Sequence, residues 1–329
     1  MTNTTLKKIS EVLGLSISTI SRALKNHPDI SERTKKRVIE LANALDYEPN
    51  VNAINLRTSH SKLFGLIVPS ISNLFYNSFI SSVEEESRKN GYTLMILQSA
   101  DDPNTEIANL KLFRQNRITG LFVCISPETT NIEPFLKLKE QDIPVIFFDK
   151  VPEIRDCNKV CVADSHAARL AANAILNKKK KKVLALFGND HLLMTRKRLV
   201  AFRDTIKERQ KNQVKLITDY ALSSAEAELK TFAHLKEKPD AVFCMSDEIL
   251  TGVMSAIQKS RLVIPDDISV IAISDGFIPK LYFPEITYVE TSGYKLGKLA
   301  FSSMLACLGG SSFQQELISE SVIVNGGSL

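Results

Sequence analysis

A short stretch near the start of the chain, residues 16–22 (SISTISR), combines four hydroxyl side chains with one guanidinium. Hydroxyl groups donate hydrogen bonds to phosphate oxygens or base edges, and the Arg22 guanidinium can bind guanine through two parallel hydrogen bonds. A slim helix carrying such groups can enter the major groove of DNA. The same residues would also suit the solvated face of a helical protein-binding module, and their spacing alone favours neither interpretation.

The flanking residues predict three short helices that would position this stretch. Thr5 can cap a first helix that ends at Gly14, where a left-handed residue is needed. Ser16 can cap a second helix, and Ser31 a third. Helical spacing predicts one shared apolar centre, formed by Leu6, Ile9, Val12 and Leu13, by Ile20, Ala23 and Leu24, and by Val38, Ile39, Leu41, Ala42 and Leu45.

Residues 5–50 resemble the DNA-binding headpiece of the lactose-repressor (LacI/GalR) family of bacterial regulators. The motifs are S-x-x-T-[IV]-S-R-x-L in the second helix, IS-x-x-T-x-x-x-V in the third and L-x-Y-x-P-N at the exit. The resemblance implies an all-α helix-turn-helix domain over residues 1–49 that binds double-stranded DNA. It implies base contacts from Ile17, Ser18 and Arg22, and phosphate contacts from Ser16, Thr19, Ser21, Ser31, Thr34 and Asn50, with Thr5 as a further DNA-contacting candidate. Ile17 and Ser18 vary with the operator in this family, so they do not identify it.

The next segment, residues 50–61, has few apolar side chains and is too short to form a stable helix alone. Composition favours a plain linker. The pattern A-x-x-L-R from Ala53 to Arg57, however, resembles the hinge helix of the same family, which pairs across a dimer axis and orders on specific DNA. The resemblance implies that Leu56 wedges between base steps of the minor groove, with Arg57 close to the backbone and Ala53 small enough for the paired helices to approach.

From Leu63 onward, short apolar strands alternate with amphipathic helices, which is typical of an α/β fold with parallel sheets. Two successive sets predict two lobes with a cleft between the carboxyl ends of their strands. Residues 62–329 resemble the two-lobed, periplasmic-binding-protein-like effector and dimerisation domain of the family, through GLIVPSISNLFY, VIFFDK, FCMSDEILTGVM and IPDDISVIAISD. This resemblance implies chain crossings near residues 162, 290 and 320. The predicted strands are LFGLIV, TLMIL, GLFVCI, VIFFD, KVCV, VLALFG, VKLIT, AVFCM and ISVIAIS.

Polar and aromatic residues after these strands are the candidates for binding a small ligand, carried over from the resemblance. They are Asn73, Phe75, Asp149, Arg198, Ser246, Asp247 and Ser274. Each also has an ordinary structural interpretation as a core residue, a helix cap or a member of an ion pair. Ser274 departs from the family, which often has aspartate there. The implied ligand is a sugar or sugar derivative, and the loss of a carboxylate suits one that carries its own negative charge.

Composition and charge are those of an ordinary globular protein. The 42 Lys and Arg and 37 Asp and Glu leave a net charge of +5, which by itself does not indicate a nucleic-acid binder. The five cysteines form no C-x-x-C pair, so we expect buried thiols and neither a metal nor another cofactor. No apolar run indicates a signal peptide or membrane span, so we expect a cytoplasmic protein. The lysine run 178–182 is interpreted as a solvated loop.

No enzyme motif of the G-x-S-x-G, H-E-x-x-H or G-x-G-x-x-G type occurs in the chain. Residues 293–298 (GYKLGK) approach a phosphate loop but have one residue too few between the glycines and Leu299 where a hydroxyl is needed. A sugar kinase with an attached helix-turn-helix, or an exported binding protein, are the alternatives. We expect instead a homodimeric transcriptional repressor that binds a palindromic operator and is switched by a small ligand.

Overall fold

A computed structural model describes residues 5–47, 61–210, 213–311 and 316–329. The chain divides into two compact units, residues 1–61 and 62–329. The predicted DNA contacts of Asn50, Ala53, Leu56 and Arg57 lie outside the described residues.

The first unit, the headpiece, contains three helices over its described residues. They are α1 (Leu6–Leu13), α2 (Ile17–Leu24) and α3 (Glu32–Ala44). Helix α1 begins after Thr5, whose hydroxyl accepts from the Lys8 amide, and ends at Gly14 in the left-handed region (φ 63°). A five-residue core of Ile9, Ile20, Ala23, Val38 and Ala42 holds the helices together.

Two apolar residues predicted inside the headpiece lie at its surface. Val12 is 60% exposed and Ile39 is 46% exposed. Each is next in sequence to a residue that packs against the core, Leu13 or Val38, because a short helix buries only a narrow stripe.

The second unit has two lobes, each built on a six-stranded sheet. Lobe 1 contains β1 (Leu63–Val68), α4 (Leu74–Lys89), β2 (Thr93–Gln98), α5 (Pro103–Gln115), β3 (Gly120–Val123), α6 (Glu133–Leu136), β4 (Val145–Phe148), β5 (Asn158–Val162), α11 (Gly293–Leu308) and β11 (Glu316–Ser319). A 3-10 turn, Lys137–Gln141, follows α6. The strand order in the sheet of lobe 1 is β11-β5-β4-β3-β1-β2, and all neighbouring strands are parallel.

Lobe 2 repeats the pattern. It contains α7 (Asp164–Asn177), β6 (Lys182–Phe187), α8 (Leu193–Gln210), β7 (Lys215–Tyr220), α9 (Ser224–Leu235), β8 (Ala241–Cys244), α10 (Asp247–Lys259), β9 (Ser269–Ser274), β10 (Thr287–Glu290) and β12 (Val322–Val324). A 3-10 turn, Ile278–Leu281, lies between β9 and β10. The order is β12-β10-β9-β8-β6-β7, with only β12 antiparallel to its neighbour.

The chain passes between the lobes three times, and the crossings follow β5, β10 and β11. These positions match the crossings expected near residues 162, 290 and 320. The nine predicted strands are confirmed within two residues at each end. The sequence analysis missed β10, β11 and β12, which are only three or four residues long.

Helix α11 returns from lobe 2 and packs against α4 through two glycines. A Cβ atom at Gly293 would lie 2.3 Å from the Phe75 carbonyl oxygen, and one at Gly297 would lie 2.9 Å from the Phe79 carbonyl oxygen. The glycines of the phosphate-loop lookalike therefore serve close helix packing.

The lysine run lies at the surface of the second unit. In the run 178–182, all but the half-buried Lys180 and Lys182 are exposed, and the amides of Lys181 and Lys182 donate to the Asp240 carboxylate at 2.7 and 2.9 Å. Within the described ranges, none of the helices combines the length and apolar character needed to span a membrane.

Replacing Ile20 by alanine should destabilise the headpiece selectively. Ile20 is fully buried, so the truncation removes apolar contacts and leaves a cavity, at a cost of about 2–5 kcal/mol. Hydrogen exchange of the full chain should then accelerate in peptides from residues 5–47 and stay unchanged in those from 62–329. Ile39→Ala deletes the same atoms from a half-exposed site and is the matched control. Equal acceleration in the two variants would contradict the assigned core.

Candidate functional sites

The amino-terminal end of α2 gathers the hydroxyl groups singled out in the sequence. The Ser16 hydroxyl accepts from the Thr19 amide at 3.1 Å and lies 2.8 Å from the hydroxyls of Ser18 and Thr19. Ile17, between them, is 48% exposed. The same arrangement recurs at α3, where the Ser31 hydroxyl accepts from the Thr34 amide and lies 2.9 Å from its hydroxyl.

These two helix ends have the physical properties of anion sites. The first amides of a helix have no carbonyl partner within the helix, and the helix dipole adds positive potential there. The described headpiece, residues 5–47, contains eight Lys and Arg against five Asp and Glu. A positive surface with exposed hydroxyl groups suits contacts with a phosphate backbone.

Arg22, in the last turn of α2, is free to reach a partner. Its side chain is 59% exposed, and its ion pair with Asp29 is long at 3.8 Å. Such an exposed pair contributes little to stability, so the guanidinium can exchange Asp29 for another acceptor at small cost. Ser21 lies half-buried beside it on the same helix.

The second candidate site is a pocket of about 120 Å³ between the lobes. Residues that follow β3 and β4 line it together with Cys161 at the end of β5. From lobe 2 come Asp164 at the start of α7, the residues just before α8 and the first turns of α8. The lining is Ile125, Ser126, Pro127, Thr129, Asp149, Lys150, Val151, Pro152, Glu153, Cys161, Asp164, His191, Leu192, Leu193, Met194 and Lys197. It therefore lies at the carboxyl ends of the strands, where open α/β sheets bind ligands.

Asp149 lies in this pocket, as the sequence predicted for a residue at the end of β4. Its backbone is in the left-handed region (φ 57°), and its Oδ2 accepts from the Tyr76 hydroxyl at 2.9 Å. Burial raises the pKa of the Asp149 carboxyl, and the Tyr76 hydrogen bond opposes this rise. The carboxylate is thus held in place from α4 while it faces the pocket.

Arg198 adjoins the pocket, but its guanidinium is committed to the protein. The side chain is buried, with Nε 2.8 Å from Asp164 Oδ1, and one terminal nitrogen donates to the Met245 carbonyl oxygen at 3.1 Å. Burial raises the pKa of Asp164, and the Arg198 charge opposes that rise. Arg198 therefore positions the Asp164 carboxylate at the pocket wall.

Three candidates lie at the ends of β8 and β9, and two of them, Asp247 and Ser274, bond to each other. Ser246 caps α10 by accepting from the Ile249 amide. The buried Ser274 hydroxyl donates to Asp247 Oδ1 at 2.5 Å, and Asp247 Oδ2 accepts from the Asp275 amide. Burial raises the pKa of Asp247, whereas the Ser274 hydrogen bond lowers it. Ser274 thus donates a hydrogen bond to the Asp247 carboxylate, whereas an aspartate at position 274 would repel that carboxylate.

Asp275 makes a direct hydrogen bond between the lobes. Its Oδ2 accepts from the Ser78 hydroxyl of α4 at 2.5 Å, and its Oδ1 accepts from the Gly293 amide at the start of α11. A second contact between the lobes, at the pocket rim, is the ion pair of Arg196 with Glu153. These contacts hold the two lobes in the arrangement described here.

The remaining two candidates lie at the start of α4. Asn73 is exposed and caps the helix, its Oδ1 accepting from the amides of Phe75 and Tyr76 at 3.0 and 3.4 Å. The Phe75 ring is half-buried and meets the Tyr76 ring edge-on, with centroids 5.7 Å apart. Neither residue is among those that line the pocket.

Of the seven ligand candidates, the structure therefore places Asp149 in the pocket and Arg198 directly behind it. Tyr76, Asp164 and Lys197 belong to this site and were missed by the sequence analysis. Asp164 follows β5 at a crossing, which is a signal that strand-end reasoning could have used. Among the described residues, no group of three or more His, Cys, Asp and Glu is placed to hold a metal ion.

The two units each match a known family model. The model of bacterial regulatory proteins of the lacI family matches residues 5–50. The model of periplasmic binding proteins and the sugar binding domain of the LacI family matches residues 61–320.

Full-length relatives agree with both matches. The transcriptional repressor PurR of Vibrio vulnificus is 25% identical over 304 residues, covering 92% of this chain and 91% of its own. The transcriptional regulator RegA of Clostridium saccharobutylicum is 26% identical over 313 residues, covering 93% and 92%.

Solved structures share the fold. The Lac repressor dimer bound to operator and the anti-inducer ONPF has a TM-score of 0.87 and 20% identity, with 99% of both chains covered. A periplasmic binding protein/LacI transcriptional regulator from Alkaliphilus metalliredigens, complexed with D-xylulofuranose, has a TM-score of 0.69 and 23% identity, covering 81% of this chain and 98% of that one.

Removing Arg198 should destabilise the second unit in a pH-dependent way. Arg198→Ala leaves the buried Asp164 charge uncompensated, which costs about 3–5 kcal/mol of unfolding free energy at neutral pH. Without the guanidinium the pKa of Asp164 rises further above its unfolded value, so protonation offsets the loss at low pH and the offset disappears as the pH increases. Denaturant unfolding of the full chain should show a smaller deficit at pH 5 than at pH 8.

The double variant Arg198→Ala, Asp164→Asn is the control, because it removes both charges. It should regain part of the stability and lose the extra pH dependence. A deficit of equal size at both pH values in the single variant would contradict the assignment of this pair.

Proposed function

Because this chain belongs to the LacI family of bacterial regulatory proteins, we propose that it represses transcription as a homodimer on a roughly palindromic operator, and that a small ligand between the lobes of each subunit switches its affinity for DNA. The family consists of DNA-binding regulators, so the chain is a regulator and not an enzyme. The observation that carries the proposal is helix α2, which combines hydroxyl groups and an exposed isoleucine at its amino-terminal end with the exposed Arg22 guanidinium in its last turn.

A domain plan accompanies this proposal. Residues 1–49 bind DNA, 50–61 form a hinge, and 62–329 bind the ligand and dimerise. The division of the chain at residues 61 and 62 and the limits of the two family models support this plan. A repressor works where its DNA is, so we place its action in the cytoplasm.

Two-fold symmetry links the dimer to its target. A dimer presents two identical headpieces, so its operator repeats one half-site in inverted orientation at a spacing set by the dimer axis. The Lac repressor structure, a dimer on its operator, supports this arrangement.

The ligand we propose is a sugar or sugar-like metabolite. Support comes from the sugar-binding description of the matching model and from D-xylulofuranose in a structural neighbour. Ligand binding would shift the contacts between the lobes, among them Ser78 with Asp275 and Arg196 with Glu153, and change how the hinge segments pair. Ligand and operator affinities are then reciprocally coupled, typically by about 1–3 kcal/mol.

An unbiased selection from random DNA duplexes, made with the full chain, tests the proposal. Repeated enrichment should yield one inverted-repeat sequence, and adding the sugar that binds should change the affinity for it. Recovery of unrelated sequences with equal affinity, with and without candidate sugars, would sink the proposal.

Replacing Arg22 by alanine should weaken binding to the selected operator and relax its sequence preference. A bidentate contact to guanine contributes about 1–3 kcal/mol of discrimination. Mobility shifts at one fixed salt concentration, on the operator and on a version with each G·C pair of the half-site changed, measure both effects. Arg37→Ala removes the same charge from the exposed surface of α3 and should lower affinity for both duplexes alike. Equal behaviour of the two variants would exclude Arg22 as a base-reading residue.

Replacing Leu56 by alanine should weaken binding to the operator and spare binding to random DNA. A wedge contributes only where the duplex is kinked at the specific site. The ratio of operator to random-duplex affinities, measured in one titration series, should fall by about tenfold or more. An unchanged ratio would remove Leu56 from the proposed hinge contact.

A further inference from the structure

The pocket between the lobes contains more charged side chains than a neutral ligand needs, and most of them are already paired. Lys150 Nζ lies 2.7 Å from Asp101 Oδ1. Arg196 pairs with Glu153, and the buried Arg198 pairs with Asp164. Five Lys, Asp and Glu side chains line the pocket, and three of them are already paired with an opposite charge: Lys150, Glu153 and Asp164.

The other two charged side chains, Lys197 and Asp149, form no ion pair with the described residues. Among the described residues, Lys197 has no carboxylate within ion-pair distance and no hydrogen-bond partner, although it is half-buried in the pocket wall. Asp149 accepts a hydrogen bond from the neutral Tyr76 hydroxyl and forms no ion pair with any residue in the described ranges. Lys197 also lines an adjoining groove, where the other charged side chains are Arg169, Arg196, Asp204 and Glu208.

Two carboxylate oxygens remain open to a ligand. Asp149 uses Oδ2 for Tyr76, and Asp164 uses Oδ1 for Arg198. Asp149 Oδ1 and Asp164 Oδ2 have no partner within the described parts of the chain. Ionised carboxylates accept hydrogen bonds and donate none, so both atoms suit the hydroxyl groups of a polyol. By contrast, Asp247 and Asp275 each use both of their oxygens within the protein.

We propose that the effector is a polyhydroxy compound with one anionic group, and that Lys197 binds this group while Asp149 and Asp164 accept hydrogen bonds from its hydroxyls. This inference rests on the proposed function, and it narrows the ligand from sugars in general to sugar acids or sugar phosphates. Carboxylate and phosphate share the chemistry that Lys197 recognises.

Desolvation of Lys197 favours an anionic ligand over a neutral one. As a ligand fills the pocket, water leaves, and a lysine without an opposite charge becomes costly to bury. An anionic ligand supplies the missing charge, whereas a neutral sugar of the same shape leaves Lys197 unpaired. Lys197 is therefore a specificity-determining residue. Burial raises the pKa values of Cys161 and Asp164, two groups that line the pocket, and the Lys197 charge opposes this rise, which agrees with its position there.

Calorimetry on the full chain tests this inference with matched sugars. D-glucose, D-gluconate and D-glucose 6-phosphate form one set, and D-ribose, D-ribonate and D-ribose 5-phosphate form another. In at least one set, the sugar acid or the sugar phosphate should bind more tightly than its neutral parent sugar. Which of the two binds more tightly shows whether the ligand carries a carboxylate or a phosphate. Lys197→Gln should weaken that charged member about 10-fold to 100-fold, the usual worth of a hydrogen bond to a charged group, and leave the neutral parent unchanged.

Two further variants make the result specific. Lys197→Arg keeps the positive charge and should retain most of the affinity. Lys207→Gln removes an exposed lysine from the same helix α8 and should change nothing, which controls for net charge and for helix stability. Thermal unfolding of each variant without ligand shows that the fold is intact.

Each other outcome counts against the inference. A neutral sugar that binds as tightly as its charged relatives, a Lys197→Gln variant with unchanged affinity for the charged ligand, or no binding by any charged compound would overturn it. Operator affinity measured on the same preparations keeps the two proposals apart. If the operator is still recognised but neutral sugars bind better, only the anionic ligand is excluded. If the protein shows no DNA selectivity, the proposed function is excluded, and the calorimetric result still holds.

Discussion

The carboxylate of Asp275 is the interaction on which the arrangement of the second unit depends. It extends from the end of β9 in lobe 2, accepts from Ser78 of α4 in lobe 1 and accepts from the amide that begins α11. Helix α11 belongs to lobe 1 but follows the crossing from lobe 2, and its glycines let it lie directly on α4. One half-buried carboxylate thus joins a strand end of one lobe to two packed helices of the other. Burial raises the pKa of Asp275, and the hydrogen bonds from Ser78 and Gly293 oppose this by stabilising the charged form.

The pocket between the lobes is built from side chains that restrain one another. Tyr76 orients Asp149, and Arg198 orients Asp164. The fully buried Glu106 holds the loop after β3 by accepting from the Ser126 amide and the Thr129 hydroxyl. Preorganised acceptors of this kind lose little entropy when a ligand arrives. The headpiece follows a different principle, because its polar groups lie at the exposed ends of two helices, ready for the large charged surface of DNA.

The sequence analysis predicted ligand contacts from positions at strand ends. This reasoning selected Asp149, which lines the pocket, because a residue that follows a parallel strand must lie at the carboxyl edge of the sheet. The same reasoning also selected Asn73 and Ser246, which cap helices. Helix caps and ligand contacts share the same residue types at the same positions, since both sit between a strand and the helix that follows it. Only the hydrogen-bond partners separate the two roles.

The sequence by itself determined the three-helix headpiece, nine of the strands and the two-lobed plan, because apolar periodicity, caps and motifs are local properties of the chain. Tertiary structure decided which charges are paired and which are left for a ligand. Arg198 meets Asp164 from 34 positions away, and Ser78 meets Asp275 from 197 positions away. Such contacts arise only when distant elements pack. A linear pattern could therefore name Arg198 as a candidate, but it could not show that Arg198 already pairs with a carboxylate. Nor could it show that the neighbouring Lys197 has no such pair.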